Sequence, residues 1–353
     1  MTQSDHSGAD PRHVVLEVIE VPAHEESPSW QVRGAARLAD GGSVLLKFGE
    51  EPSTAALVGR AKSALGDLAE RMRDAKALPV DAYVEVDEES YGTPTAPQEA
   101  SRFLLPHHDG GHSSFLTPRA VNDEHGITKD RIFSDSVYFK RPSHKMYQGF
   151  LITRPGTRPG ETYYYDLVAM LFDSYARRFG EPPRAVEHLE RFLGSNIRRA
   201  LDLKPVHRSR YLTMGALLGS LDPAHHVLPS GPRAESELWP EQYASIPGMW
   251  EKVAVCECGE CSGPGACLMC HSAASTLGLS WPQLRRRYEV SVVGERGDLL
   301  IGNNLTQMHA AFSSKDRQIC PVCIVVDNPV GESYERWLGD QWDRSFARLE
   351  AAA

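Results

Sequence analysis

Between Arg287 and Asp327 the chain reads as a succession of short strands, and this stretch constrains the fold more than any other. Arg287 to Val293 has the character of a strand, Glu295-Arg296-Gly297-Asp298 that of a tight turn, and Leu299 to Gly302 that of the returning strand, which predicts a hairpin. Met308 to Phe312 and Ile319 to Asp327 continue the β-structure. Every strand needs partners for its backbone N–H and C=O groups, so such a run commits the chain to a sheet. Val14 to Val21 reads as another strand, far upstream. Strands in separated blocks with helices between them predict a mainly β core carrying helical insertions.

The helical stretches are marked by period and by their ends. From Thr54 to Ala75, Leu57, Ala61, Leu65, Leu68 and Met72 recur every three or four residues and so share one helical face. Thr162 to Phe179 begins as a strand and becomes a helix with Val168, Leu171, Phe172 and Tyr175 on its apolar face. Gly180 is placed to end it, with Pro182 and Pro183 beyond. A further helix is expected over Ala185 to Leu201. Residues 1–12 are polar and read as a tail, which leaves 13–353 as one domain with a helical and Cys-rich insertion at about 184–284.

Charge narrows the partners. Lys and Arg number 38 against 47 Asp and Glu, so no cationic excess draws the chain to phosphate backbones or anionic lipid. No apolar run reaches the roughly 18 to 20 residues that a membrane helix needs, and the first residues have no apolar secretion segment. The expectation is a cytoplasmic protein acting on a small molecule, with neither nucleic acid nor membrane as partner.

Pro106-His107-His108-Asp109-Gly110-Gly111-His112 packs three imidazoles and a carboxylate into seven residues, just after the apolar Phe103 to Leu105. In a strand, residues i and i+2 point to the same side, so His107 and Asp109 offer one nitrogen and one oxygen to one ion while His108 points away. A third ligand must then come from elsewhere. One rival is a helical zinc pair of His108 and His112, as in hydrolytic metalloenzymes. Gly110 and Gly111 oppose it, since each costs a helix about 1 kcal/mol relative to alanine. A histidine-rich surface loop is the plainer alternative.

Gly297-Asp298-Leu299-Leu300-Ile301-Gly302-Asn303-Asn304-Leu305-Thr306-Gln307-Met308-His309 supplies the partner. A Gly-Asp turn, an apolar strand, an Asn-rich turn and a histidine in that order resemble the distal half of the iron site in the taurine dioxygenase and clavaminate synthase superfamily. The resemblance implies a distorted double-stranded β-helix, or jelly roll. It implies iron(II) held by His107, Asp109 and His309, with positions left for 2-oxoglutarate and O2. It also implies that Arg317 pairs with the far carboxylate of 2-oxoglutarate, Lys315 being second choice, and that Thr162 in Gly160-Glu161-Thr162 helps hold it. The reaction implied is decarboxylation of 2-oxoglutarate to succinate coupled to hydroxylation, desaturation or cyclisation of a small molecule. Halogenases of this type lack the carboxylate, and Asp109 is present.

Cys256, Cys258, Cys261, Cys267 and Cys270 fall within fifteen residues, and Cys320-Pro321-Val322-Cys323 follows the distal histidine. Cys258/Cys261, Cys267/Cys270 and Cys320/Cys323 are C-x2-C pairs, and two such pairs give the four thiolates of a structural zinc. The turns in CGEC and CPVC resemble zinc knuckles. An iron-sulfur cluster would use the same ligands. Beside the oxygenase stand two other readings: a zinc-dependent hydrolase using His108 and His112, and a non-catalytic zinc-stabilised binding module.

Overall fold

The computed structural model describes residues 16–22, 29–86, 102–108, 116–128, 144–155, 161–202, 217–219, 277–279, 281–313, 317–329 and 331–352. The 1–12 tail and most of the Cys-rich insertion lie outside them. In chain order the elements are β1 (Leu16–Glu20), α1 (Ser29–Ala39), β2 (Ser43–Lys47), α2 (Thr54–Asp74), β3 (Tyr83–Val86) and β4 (Arg102–His107). Then come α3 (Arg119–His125), β5 (His144–Arg154), β6 (Glu161–Asp166), α4 (Leu167–Phe179), α5 (Val186–Asp202) and α6 (Trp281–Tyr288). The chain closes with β7 (Glu289–Val293), β8 (Asp298–Asn303), β9 (Gln307–Ser313), β10 (Gln318–Val326) and α7 (Glu332–Glu350). Helical residues outnumber strand residues among those described, so the expectation of a mainly β chain is corrected to a mixed helix and sheet architecture. No helix among the described residues is long and apolar enough to cross a membrane.

The strands form two sheets, one of six strands in the order β1-β2-β8-β5-β10-β3 and one of four in the order β4-β9-β6-β7. Among the described residues only β1 and β2 pair in parallel, with α1 between them in sequence; every other described pair is antiparallel. Alternation along each strand sends side chains to two cores. Tyr147, Leu151, Leu299, Ile301, Val322 and Ile324 join the large core shared with the helices. Phe150, Leu300 and Leu45 of the six-stranded sheet meet Tyr164 and Val292 of the four-stranded sheet in a second, small cluster. The two sheets therefore face each other across that cluster.

The helices cover the outer faces. Leu57, Ala61, Leu65, Leu68 and Met72 of α2 are all buried, and Ser53 caps its start by accepting from Ala56 N at 3.1 Å. Each of the leucines and Met72 contributes about 1.5–3 kcal/mol by leaving water. β6 passes directly into α4 through Asp166, whose carboxylate accepts from Ala169 N at 2.9 Å. Gly180 ends α4 at φ +78°, a left-handed conformation that glycine adopts without strain. α7 buries Tyr334, Trp337, Leu338, Trp342 and Phe346 on one face. Leu189, Phe192, Leu193 and Ile197 of α5 enter the large core, so the start of the expected insertion is integral to the fold.

The predicted hairpin of β7 and β8 is not formed. β7 pairs with β6 in the four-stranded sheet, whereas β8 lies inside the six-stranded sheet between β2 and β5. The turn between them hands the chain from one sheet to the other. It is tied to the six-stranded side: Gly297 N donates to Ile152 O at 3.0 Å, and Phe48 N donates to Gly297 O at 3.1 Å. The φ of +93° at Gly297, with Gly49 O only 2.8 Å from where a Cβ would stand, accounts for glycine there. The first residues of the predicted strand are also helical, since α6 runs to Tyr288.

Candidate functional site

β9 carries the distal histidine into the space between the sheets. His309 is 4 % exposed, and its ring packs on Phe150 of the opposite sheet with centroids 5.0 Å apart. On its own sheet His309 stands in register with Tyr164 of β6 on one side and with His107 of β4 on the other. The backbone thus brings together two histidines that lie far apart in sequence. β4 ends at His107, with a register irregularity between Leu104 and His107. Asp109 lies outside the described residues, as do His112 and Lys315. His108 is buried and follows β4 as irregular backbone.

Arg317 and Thr162 are 155 residues apart, and the fold joins them. Arg317 Nη2 donates to Thr162 Oγ1 at 3.0 Å, with the two residues 6 % and 4 % exposed. Thr162 shares a face of β6 with Tyr164, two residues on, a step of about 7 Å along a strand. Tyr164 is itself level with His309. Arg317 Nε has no hydrogen-bond partner, and no carboxylate among the described residues forms an ion pair with the guanidinium. Burial holds its pKa down at about 10, with Tyr163 acting weakly in the other direction. A guanidinium is rarely left in this condition, because taking it out of water without an anion costs several kcal/mol. Its fork geometry and free Nε suit a carboxylate.

Phe150 and Tyr164, which flank His309, were not singled out in the sequence. β5, which carries Phe150, is buried along nearly its whole length, so it lacks the polar alternation that advertises a strand. The run of Met146, Tyr147, Phe150, Leu151 and Ile152 is the signal that could have revealed it.

For the cysteines, one expectation is corrected. Cys320-Pro321-Val322-Cys323 is not a knuckle-like turn but the interior of β10, paired with β5 on one side and β3 on the other. Side chains at i and i+3 of a strand leave from opposite faces, so this conformation does not aim both sulfurs at one ion. Cys320 belongs to the large core, and Cys323 Sγ donates to Gln148 Oε1 at 3.4 Å. Cys256, Cys258, Cys261, Cys267 and Cys270 lie outside the described residues.

Among the described residues no group of three or more His, Cys, Asp or Glu stands at metal-binding spacing, Asp109 not being one of them. Among the described residues the backbones of His107 and His309 stand in register, and a buried guanidinium without an ion-pair partner lies beside a hydroxyl, a donor pair that suits a carboxylate. Compared with protein-family models and with curated proteins, the chain matches none.

Proposed function

We propose that this protein is an iron(II)- and 2-oxoglutarate-dependent oxygenase acting on a small molecule. In this reading His107, Asp109 and His309 hold the iron, while Arg317 and Thr162 hold the distal carboxylate of 2-oxoglutarate. The observation that carries it is the buried Arg317 without an acidic partner among the described residues, one strand step beyond the level of His309. In this reading a short dicarboxylic acid would lie with one carboxylate at the guanidinium and the other toward the metal.

The strand order supports a distorted double-stranded β-helix as the scaffold. Leaving aside β1 and β2, the larger sheet runs β3-β10-β5-β8 and the smaller β4-β9-β6-β7. Successive strands from β3 to β6, and again from β7 to β10, alternate between the sheets, as two interleaved Greek keys require. We assign residues 13–353 to one domain on this scaffold, with an insertion at about 184–284.

Iron bound with 2-oxoglutarate and O2 supplies the oxidising power, with succinate and CO2 as co-products of hydroxylation, desaturation or ring closure. The protein's own groups bind and orient. Arg317 neutralises and aligns the carboxylate, and the Thr162 hydroxyl, which accepts from Arg317, keeps its own proton to donate to a carboxylate oxygen. Phe150, Tyr164, Leu45 and Leu300 keep water from the inner end of the space, where it would weaken the charge pairing. The test is an anaerobic titration with iron(II) and 2-oxoglutarate. The chelate should give a weak visible charge-transfer band at about one iron per chain, and activity with zinc alone and no 2-oxoglutarate would overturn the reading.

A further inference from the structure

The turn that leads into β9 is held by a polar network buried in the core. Asn303 Oδ1 accepts from Leu305 N at 2.9 Å and Thr306 N at 3.1 Å, which shapes the turn from inside. Asn304 ties it to β5 through Lys145 O and Met146 O, each at 2.9 Å. Gln307 Oε1 accepts from Ser43 Oγ at 3.0 Å and from Asn303 N at 3.2 Å, fixing the first residue of β9 to the start of β2. The fourth anchor comes from the far end of the chain: Asn303 Nδ2 donates to Gln341 Oε1 of α7 at 2.9 Å.

Gln341 is 1 % exposed and lies on the face of α7 that also buries Trp337, Leu338 and Trp342. By its position it reads as core, where an apolar residue of similar size would stabilise the helix more and a lone amide would cost desolvation. What the amide provides is a directional link, and it ends on a turn whose next element carries His309 as its third residue. The turn has little slack, since a Cβ on Gly302 would stand 2.5 Å from the Tyr164 ring and 2.8 Å from Gln307 Oε1.

We propose that Gln341 is a positioning residue for His309, acting through Asn303 and the 303–306 turn, so that the C-terminal helix sets where the distal iron ligand stands. This rests on the oxygenase reading above. The network acts as outer partners of metal ligands do, by limiting the orientations that the ligand can take.

The test uses the full chain with Gln341→Met, which keeps the length of the side chain and removes the acceptor. Ser43→Ala cuts the Gln307 anchor independently. Phe346→Leu, on the same buried face of α7 but outside the network, is the control for simple loss of stability. Two quantities are measured: iron(II) affinity in the anaerobic titration with 2-oxoglutarate, and amide hydrogen exchange across 303–309 in metal-free protein. Gln341→Met should weaken iron binding about tenfold, at the low end of what outer partners cost, and should speed exchange over the turn. Ser43→Ala should act in the same direction, and Phe346→Leu should leave iron affinity unchanged. Equal affinity and exchange in wild type and Gln341→Met overturns this inference alone, as does an equal loss in Phe346→Leu. Wild-type protein that takes up no iron(II) overturns the oxygenase reading and this inference with it.

Discussion

Replacing Arg317 with methionine removes a charge that the fold keeps out of water without an acidic partner among the described residues. Burial lowers the guanidinium from its ordinary value to about 10. At 1.36 kcal/mol per unit, that shift makes the charged side chain cost the folded state about 3 kcal/mol. The sign follows from the direction of the shift. Below about pH 10 the group is protonated both folded and unfolded, so the whole penalty applies at pH 7; it shrinks only as pH rises above about 10 toward the ordinary guanidinium range. Losing the charged hydrogen bond to Thr162 gives back about 1.5 kcal/mol. Ligand-free Arg317→Met should therefore be about 1–2 kcal/mol more stable than wild type. With 2-oxoglutarate and iron(II) under anaerobic conditions at about a hundred times the dissociation constant, wild type should gain about 2.7 kcal/mol and the variant almost nothing. The order of stability then inverts. Urea unfolding at pH 7, with and without ligand, reads both numbers. A variant less stable than wild type in the absence of ligand, or one still stabilised by 2-oxoglutarate, would refute the assignment of Arg317 as an anion-binding charge.

His107→Ala, Asp109→Ala and His309→Ala should each lose the visible band and all turnover while circular dichroism stays that of wild type; normal iron-dependent activity in all three sinks the triad. Glu190 is pushed up to about 7, first by burial, then by Glu187 and Asp343, with Arg191 opposing and Glu335 adding. A carboxyl raised in the folded state loses stability as pH climbs from its ordinary 4.5 through about 7. Glu190→Gln should therefore stabilise the protein at pH 8 and give no advantage at pH 4, and a gain that is equal at both values contradicts this. With Cys320 and Cys323 on opposite faces of β10, structural zinc falls to Cys258, Cys261, Cys267 and Cys270. Metal analysis should find about one zinc beside the iron, abolished by Cys258→Ser and unchanged by Cys320→Ser.

Legibility in the sequence tracked how local the determining physics is. α2 and the end of α4 could be bounded closely because apolar spacing and Gly180 act within one turn of the residues they organise. β7 and β8 were both legible as strands, but their partners were not. A tight turn between two strands states that the chain bends, and only the packing of Leu299 to Ile301 on both faces decides that β8 belongs inside the larger sheet. CPVC fails for the same reason: the spacing of a knuckle and of a buried strand is identical, and the partners β5 and β3 choose between them. Thr162 and Arg317 were named through resemblance, because no spacing rule connects residues 155 positions apart. The network of Ser43, Asn303, Gln307 and Gln341 had no sequence signature, since single buried amides look like ordinary polar residues until the chain is folded.

The distribution of apolar side chains explains how the fold carries a polar interior. The small cluster between the sheets has only a few members, whereas the large core lies between the sheets and the covering helices. Stability is concentrated on the outer faces, where α2 and α7 bury long apolar stripes. The inner faces are thereby relieved of holding the sheets together unaided, and they can present His309, Thr162 and Arg317 at a net cost. A buried guanidinium with no acidic partner among the described residues, worth about 3 kcal/mol of destabilisation, is tolerable only in a structure that gains more elsewhere, given that whole domains are stable by about 5–15 kcal/mol. The same division predicts where the two properties can be varied separately. Changes to the outer stripes move stability, changes to the inner faces move ligand binding, and the 303–307 turn, reached from α7 on one side and leading to His309 on the other, is where the two meet.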